Sequence, residues 1–299
     1  MQCSICDGNR IEVTYEGVIR DGKVGNLFKN KVQMYKCLDC GTIWHDHLQE
    51  DYGSFYESEE YRKGLEGTSE ICVFYKMHDR ESMDKFIYTG TEIYRDKIVA
   101  DIGCAGGGAF LDYINTVSKE VIAIEPSDLY RREMEKKKFV TFAYAKDAIK
   151  VYSGRVDVIV SFDVIEHVQD PVEFIVDASQ LLSKNGRAYI GTPTDAPVMR
   201  ELLGADYESF LFSTQHPWVL GKGSFSAIAR KCSITQWNCK FYQRYGLGNM
   251  IYWLINRKPG QHKQYEFISK SLNEHWKAEL ERKEMSDYIV FEFEKCDNS

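Results

Sequence analysis

The chain has 299 residues, a net charge of −7 and a hydrophobic share of 43% spread along its length, which predicts one main core with a small appendage and indicates neither a disordered nor a fibrous protein. The acidic balance argues against non-specific nucleic-acid binding, whose affinity comes from clustered Lys and Arg. The one basic run, Arg131, Arg132, Lys136, Lys137 and Lys138, is interleaved with Glu133 and Glu135 and reads as a solvated helix face.

The opening MQCSICDGNR lacks the apolar run of a secretory signal, and no stretch of about 18 apolar residues follows. A cytoplasmic protein is expected, with no membrane partner. Nine cysteines in such a chain read as thiols or metal ligands rather than as a disulfide framework.

Residues 1–50 carry short β-like runs, RIEVTY and KVQMYKC, between turn residues. Two C-x-x-C pairs lie here, Cys3 with Cys6 and Cys37 with Cys40. Four thiolates on two knuckles suit the tetrahedral preference of structural Zn2+ and leave no open catalytic position. The separation of the pairs is long for a ribbon, and His45 and His47 are reserve ligands. Residues 51–96 mix charges and aromatics at helical spacing, which predicts a helical cap or linker.

From residue 97 short apolar runs alternate with helical stretches, the pattern of βαβ units and a mostly parallel sheet. The strands expected are IVADIG, EVIAIE, FVTFAY, VDVIVSF and GRAYIGTP, with helices over 109–117, 129–138 and 171–182. After Pro193 a strand is expected in SITQWNCKFY, then a helical insertion over about 246–285 and a last strand in DYIVFEFEK. An insertion near the carboxyl edge of such a sheet suits a substrate lid.

The motif IVADIGCAGGGAFLDYI runs from a strand through Gly103, Gly106, Gly107 and Gly108 into a helix. Glycines there let a ligand approach backbone where a Cβ would clash. Alone, the turn would equally suit a nicotinamide dinucleotide. The next strand ends in Glu125, where doubly wound folds place a carboxylate for ribose hydroxyls. Asp147 in AYAKDAI, and Asp163, Glu166 and His167 in SFDVIEHVQDP, follow later strands.

In this order, DIGCAGGG, IEPS, AKDA, SFDVIEHVQDP and LLSKNGRAYIGTP resemble class I S-adenosylmethionine-dependent methyltransferases over residues 97–195. The resemblance implies an α/β, doubly wound, Rossmann-like sheet of seven strands, the last antiparallel. It also implies cofactor contacts from Asp101, Gly103 and Gly106 to the methionine end, Glu125 to the ribose, Asp147 to the adenine, and Phe162, Asp163 and Val164 to the other side, with Cys104 and Pro126 also among the cofactor-binding residues. Ala105 stands where many members have Gly.

The stretch YKCLDCGTIWHD leading to FYESEEYR is similar to bacterial methyltransferases of nucleotide-linked sugars or surface-polysaccharide precursors. In the C-methylating members a Glu-His pair follows the fifth strand. STQHPWVLGKGSFS has Gln215 in place of that Glu and keeps His216, so O- or N-methylation is favoured.

A hydroxyl acceptor must lose a proton, and histidine titrates nearest neutrality. His216 is the first candidate base and His167 the second, while Tyr56, Tyr61, Tyr75, Tyr242 and Trp218 are candidate acceptor-pocket residues. The expected partner is a small-molecule substrate, a sugar or sugar nucleotide, with no nucleic acid and with a homodimer left open. A protein or RNA methyltransferase, a non-catalytic S-adenosylmethionine-binding regulator and a dehydrogenase are the alternatives.

Overall fold

Apolar and polar residues alternating at period two make strands with one buried face. In the computed structural model, which describes residues 1–22, 25–46, 57 and 71–295, the chain opens with β1 (Ile11–Gly17), β2 (Val32–Cys37) and β3 (Ile43–Trp44). These pair antiparallel in sequence order, with an irregularity between Val13 and Tyr15. Val32 and Met34 are buried on β2 while Gln33 between them is exposed.

Next come α1 (Ile71–Thr89), β4 (Ile98–Ile102), α2 (Gly108–Val117), β5 (Glu120–Ile124), α3 (Asp128–Lys136) and β6 (Val140–Phe142). They are followed by α4 (Ala145–Tyr152), β7 (Val156–Phe162), α5 (Pro171–Leu181) and β8 (Leu182–Pro193). The expected helices are present with small shifts at their ends. At the start of α5, Asp170 accepts the N–H groups of Val172 and Glu173 at 2.8 and 3.1 Å, and Pro171 loses nothing there because a first-turn N–H has no helical partner.

The remaining elements are α6 (Pro197–Leu203), α7 (Ala205–Leu211), β9 (Trp218–Val219), α8 (Lys222–Lys231), β10 (Trp237–Tyr242), α9 (Leu247–Asn256), α10 (Lys270–Arg282) and β11 (Tyr288–Glu294). The strand expected from Ser233 starts at Trp237, because Ser233 takes a left-handed conformation (φ 56°) after α8. The expected insertion over 246–285 resolves into α9 and α10. No helix among the described residues is long and apolar enough to cross a membrane.

Seven strands form one sheet in the order β10-β11-β8-β7-β4-β5-β6. β4 pairs parallel with both β5 and β7, β5 with β6, and β7 with β8. The register sets Asp101 on β4 opposite Ala123 on β5 and Val160 on β7. The carboxyl ends of the central strands therefore come out side by side, where open α/β sheets bind ligands.

The chain divides into two compact units. The first gathers Met1–Leu48, Thr192–Ala227 and Cys239–Val290, and the second Gln49–Gly191, Ile228–Asn238 and Phe291–Ser299. In the first unit the N-terminal strands continue into β9, giving a sheet of order β1-β2-β3-β9. Ile19, Val32, Met34 and Ile43 share one buried cluster with Met199, Leu203, Tyr207, Leu211, Phe212, Val219 and Trp253. Too short to enclose a core of its own, the N-terminal segment buries its apolar face against residues far along the chain.

Candidate functional site

The loop after β4 is built on two acidic side chains with different surroundings. Glu125, 4% exposed, follows β5, and its carboxylate accepts the N–H of Ala105 and the N–H of Ser127, each at 2.9 Å. It thereby ties the glycine loop to the loop after β5. The N–H groups of Gly103 and Cys104 reach the carbonyl of Ile124 at 2.7 and 3.3 Å, so three successive residues of the turn are pinned to the end of the neighbouring strand.

Asp101 is fully buried. One carboxylate oxygen receives Lys85 Nζ at 3.3 Å, and the other, Oδ1, is buried with no partner among the described residues. Burial raises the Asp101 pKa above the ordinary carboxylate value, with the Lys85 charge opposing the rise. Lys85 also lies over the rings of Phe110 and Phe162, 4.9 and 5.8 Å from their centroids, a cation–π arrangement. Sequence reasoning missed Lys85. It stands between Asp84 and Phe86 in a charged helix, where nothing separates it from a solvated lysine.

Gly103 has φ +76°, and a Cβ there would lie 2.3 Å from Val164 Cγ2. Ala105 takes φ 48° although it carries a Cβ, and its N–H is one of the two held by Glu125. Gly106 and Cys104 are buried, with Cys104 Sγ 3.5 Å from Met134 Sδ. Pro126 is half-buried, and its carbonyl accepts from Arg131 at 2.6 Å.

Phe162 is buried at the tip of β7, 5.6 Å from the Tyr88 ring. Asp163 follows with φ 57° and its N–H on the carbonyl of Gly191 at 3.0 Å. Asp147 sits in the first turn of α4, paired with Lys150 at 2.8 Å. Of the expected cofactor residues, Asp101 and Phe162 lie among the last residues of β4 and β7, Gly103, Cys104, Gly106, Glu125, Pro126, Asp163 and Val164 follow the adjacent ends of β4, β5 and β7, and Asp147 follows β6.

The second expected site also assembles. The sulfurs of Cys3, Cys6, Cys37 and Cys40 all lie within 4.8 Å of one another, with Cys3 to Cys40 at 3.8 Å and Cys6 to Cys37 at 3.5 Å. A tetrahedron with Zn–S of 2.3 Å has edges of about 3.8 Å, so the donor set fits that ion. The Cys40 thiol is drawn down to about 5 by the hydrogen bond from Cys3 and by Thr42, whereas burial pushes Cys6 up to about 11. His45 is turned away from this set, its ring nitrogens facing the carbonyls of Asp46 and Ser213; His47 lies outside the described residues.

His167 and His216 are both half-buried. His167 belongs to the second unit, in a turn where its N–H meets the Val164 carbonyl at 2.9 Å. His216 belongs to the first unit, in a turn closed by its N–H on the Ser213 carbonyl at 3.0 Å. Among the aromatic candidates, Trp218 is buried on β9 opposite Trp44, Tyr242 is half-buried on β10, and the Tyr75 hydroxyl meets Asp112 at 2.7 Å. Tyr56 and Tyr61 lie outside the described residues.

The loop geometry gives two substitutions of opposite sign. Gly103→Ala should cost at least about 2 kcal/mol, from the left-handed backbone and the clash with Val164. Ala105→Gly should be neutral to about 1 kcal/mol stabilising, since relief of the left-handed penalty outweighs or matches the added freedom of the unfolded chain. Urea unfolding of the two variants beside the parent checks both.

Known proteins resemble the chain. Over 106 residues it is 34% identical to a tRNA U34 carboxymethyltransferase of Campylobacter jejuni, covering 32% of this chain and 35% of that protein. Over 117 residues it is 30% identical to a ubiquinone biosynthesis O-methyltransferase of Pelagibacter ubique, covering 36% and 47%. The chain thus spans about a third to just under half the length of these curated relatives. A SAM-dependent methyltransferase of Thermotoga maritima shares the fold, with a TM-score of 0.51 at 11% identity, over 82% of this chain and 100% of that one. The family described as methyltransferase domain matches residues 75–232, more than half of the chain, and the chain belongs to that family.

Proposed function

We propose that the chain is an S-adenosylmethionine-dependent methyltransferase acting on a small polar acceptor, a sugar or sugar nucleotide of glycan biosynthesis, in the cytoplasm. The observation that carries the cofactor reading is the buried carboxylate of Asp101, with one oxygen unpartnered, beside a glycine cradle that a Cβ would fill. When bound, S-adenosylmethionine supplies a methyl group on a sulfonium, open to in-line displacement.

In this reading Asp101 accepts hydrogen bonds from the methionine end, and Gly103, Cys104 and Gly106 leave it room. Glu125 and Pro126 take the ribose side, Asp147 the adenine, and Phe162 to Val164 the opposite side. His216 removes or orients the acceptor proton, with His167 second in that role. Four thiolates hold structural zinc and leave it no open position for substrate. Gln215 in place of the Glu of C-methylating sugar-nucleotide enzymes favours O- or N-methylation. The likeness to a tRNA-modifying enzyme favours RNA as the second reading, against which stands the net charge of −7.

Four measurements test the proposal. Glu125→Gln should weaken S-adenosylhomocysteine binding about ten- to hundredfold by calorimetry, with the domain still folded. Glutamine keeps one acceptor for the loop amides, so an unchanged affinity would remove Glu125 from the cofactor site. In a transfer assay with labelled S-adenosylmethionine, label should enter one of a panel of sugar nucleotides. Label in tRNA alone would replace the sugar reading. With that acceptor, His216→Asn should slow transfer by about 10² to 10⁴ at unchanged cofactor affinity. Near-normal turnover passes the role to His167. Finally, metal analysis should find one zinc per chain, and Cys37→Ser should abolish it while shifting the fluorescence of Trp44 and Trp218 beside the paired β3 and β9. Protein purified without chelator and free of zinc would end the metal assignment.

A further inference from the structure

Lys85 is the one charged side chain acting on Asp101 among the described residues, and its place is fixed by the packing of the helix that carries it. Phe86 of α1 lies 4.9 Å from the Phe110 ring and 6.3 Å from the Tyr94 ring, and Tyr88 lies 5.6 Å from Phe162. The Thr89 hydroxyl donates to the Lys85 carbonyl at 2.8 Å and meets the Tyr94 hydroxyl at 2.5 Å. The end of α1 is thereby held to the turn before β4, to α2 and to the tip of β7. A lysine on a surface helix ordinarily carries its ammonium out to water. The Lys85 side chain is instead 17% exposed, with its ammonium over two rings and 3.3 Å from Asp101 Oδ2.

A carboxyl group with no exposure takes its neutral form unless a cation stands beside it. The neutral form carries an O–H donor in place of a charge, the wrong polarity for an ammonium ligand. No neighbour other than Lys85 supplies that cation. Ala123 and Val160, opposite Asp101 on β5 and β7, are uncharged. Glu125, after β5, is itself an acid, with its oxygens on backbone N–H groups. Tyr94 and Cys104 are pushed up by burial, the charge of Asp101 adding to the rise in each, and stay neutral.

We infer that Lys85 is a positioning residue of the cofactor site, which holds Asp101 charged through Oδ2 and so leaves Oδ1 as an acceptor for the ammonium of the cofactor's amino-acid end. The inference rests on the cofactor reading proposed above and adds to it a pH dependence set from outside the glycine loop. Affinity should fall as the pH drops and Asp101 takes up a proton. Removing the Lys85 charge should move that fall to higher pH, because burial then acts on the carboxyl group unopposed.

Two measurements on the full chain separate this role from packing. Without ligand, urea unfolding of the parent, Lys85→Met, Asp101→Asn and the double variant forms a cycle. A carboxyl group whose folded pKa is raised loses its stabilising contribution as the pH climbs through that value. The destabilisation by Lys85→Met should therefore grow from about pH 5.5 to about pH 8.5 with Asp101 present, and should be flat with Asn in its place. Lys85→Arg, which keeps the charge, should show no such growth. With ligand, calorimetry of S-adenosylhomocysteine should find Lys85→Met weaker than the parent by a factor that rises as the pH falls, to at least about tenfold. Lys85→Arg should stay close to the parent throughout.

A destabilisation by Lys85→Met that is independent of pH, or that varies equally with Asn at position 101, would make Lys85 a packing residue and overturn the inference. So would an affinity loss of one size at every pH. A parent that binds no S-adenosylhomocysteine at any pH would overturn the cofactor reading and the inference with it. The ligand-free cycle tells these failures apart, since it reads the action of Lys85 on Asp101 whether or not a cofactor binds.

Discussion

The glycine loop depends on the Glu125 carboxylate. A tight turn leaving a parallel strand exposes several N–H groups that the sheet ladder no longer serves, and in a water-poor location each needs an acceptor. Glu125 serves Ala105 on one loop and Ser127 on the next with its two oxygens. This holds Ala105 in a left-handed conformation that an L-residue otherwise avoids. A residue expected from the sequence as a ligand contact is therefore the fastener of the glycine loop, and the proposed contact remains compatible with this because a carboxylate oxygen has more than one lone pair.

Asp101 is arranged in the opposite way. It sits one strand away, as deeply buried as Glu125, yet has a single long contact from Lys85 and one oxygen without any partner. A buried carboxylate in that state is costly, and its raised pKa expresses the same fact. Lys85, stacked over Phe110 and Phe162, partly compensates the charge. Satisfied and unsatisfied acids thus stand side by side, one fastening the loop and the other keeping an open acceptor oxygen.

The parts of this arrangement that were legible in the sequence are the local ones. Strand, turn, glycine and helix follow one another within about twenty residues, so IVADIGCAGGGAFLDYI and EVIAIEPS declared their elements and their acids together. The paired C-x-x-C knuckles are legible for the same reason, because each pair is fixed by its own turn. What escaped is assembled across distance. Lys85 reaches Asp101 from a separate helix, and β3 pairs with β9, only two residues long, some 175 positions later in the chain. No periodicity reveals a two-residue strand. The shared core of the first unit was hidden likewise, since Val32 and Met34 alternate correctly for a strand whatever they are buried against.

The same distinction between satisfied and unsatisfied polar groups sorts the buried side chains of the first unit. Asp287 looks like a catalytic acid by burial alone, yet backbone amides, Gln243 and Arg244 use both its oxygens, which makes it an organiser of the turn 243–245. Tyr207 looks like a core residue by burial alone, lying among Phe210 and Trp253. Its hydroxyl, however, does no work within the fold, and phenylalanine would fill the same volume without it. Where burial is equal, the hydrogen-bond account decides which polar atom the fold depends on and which it does not.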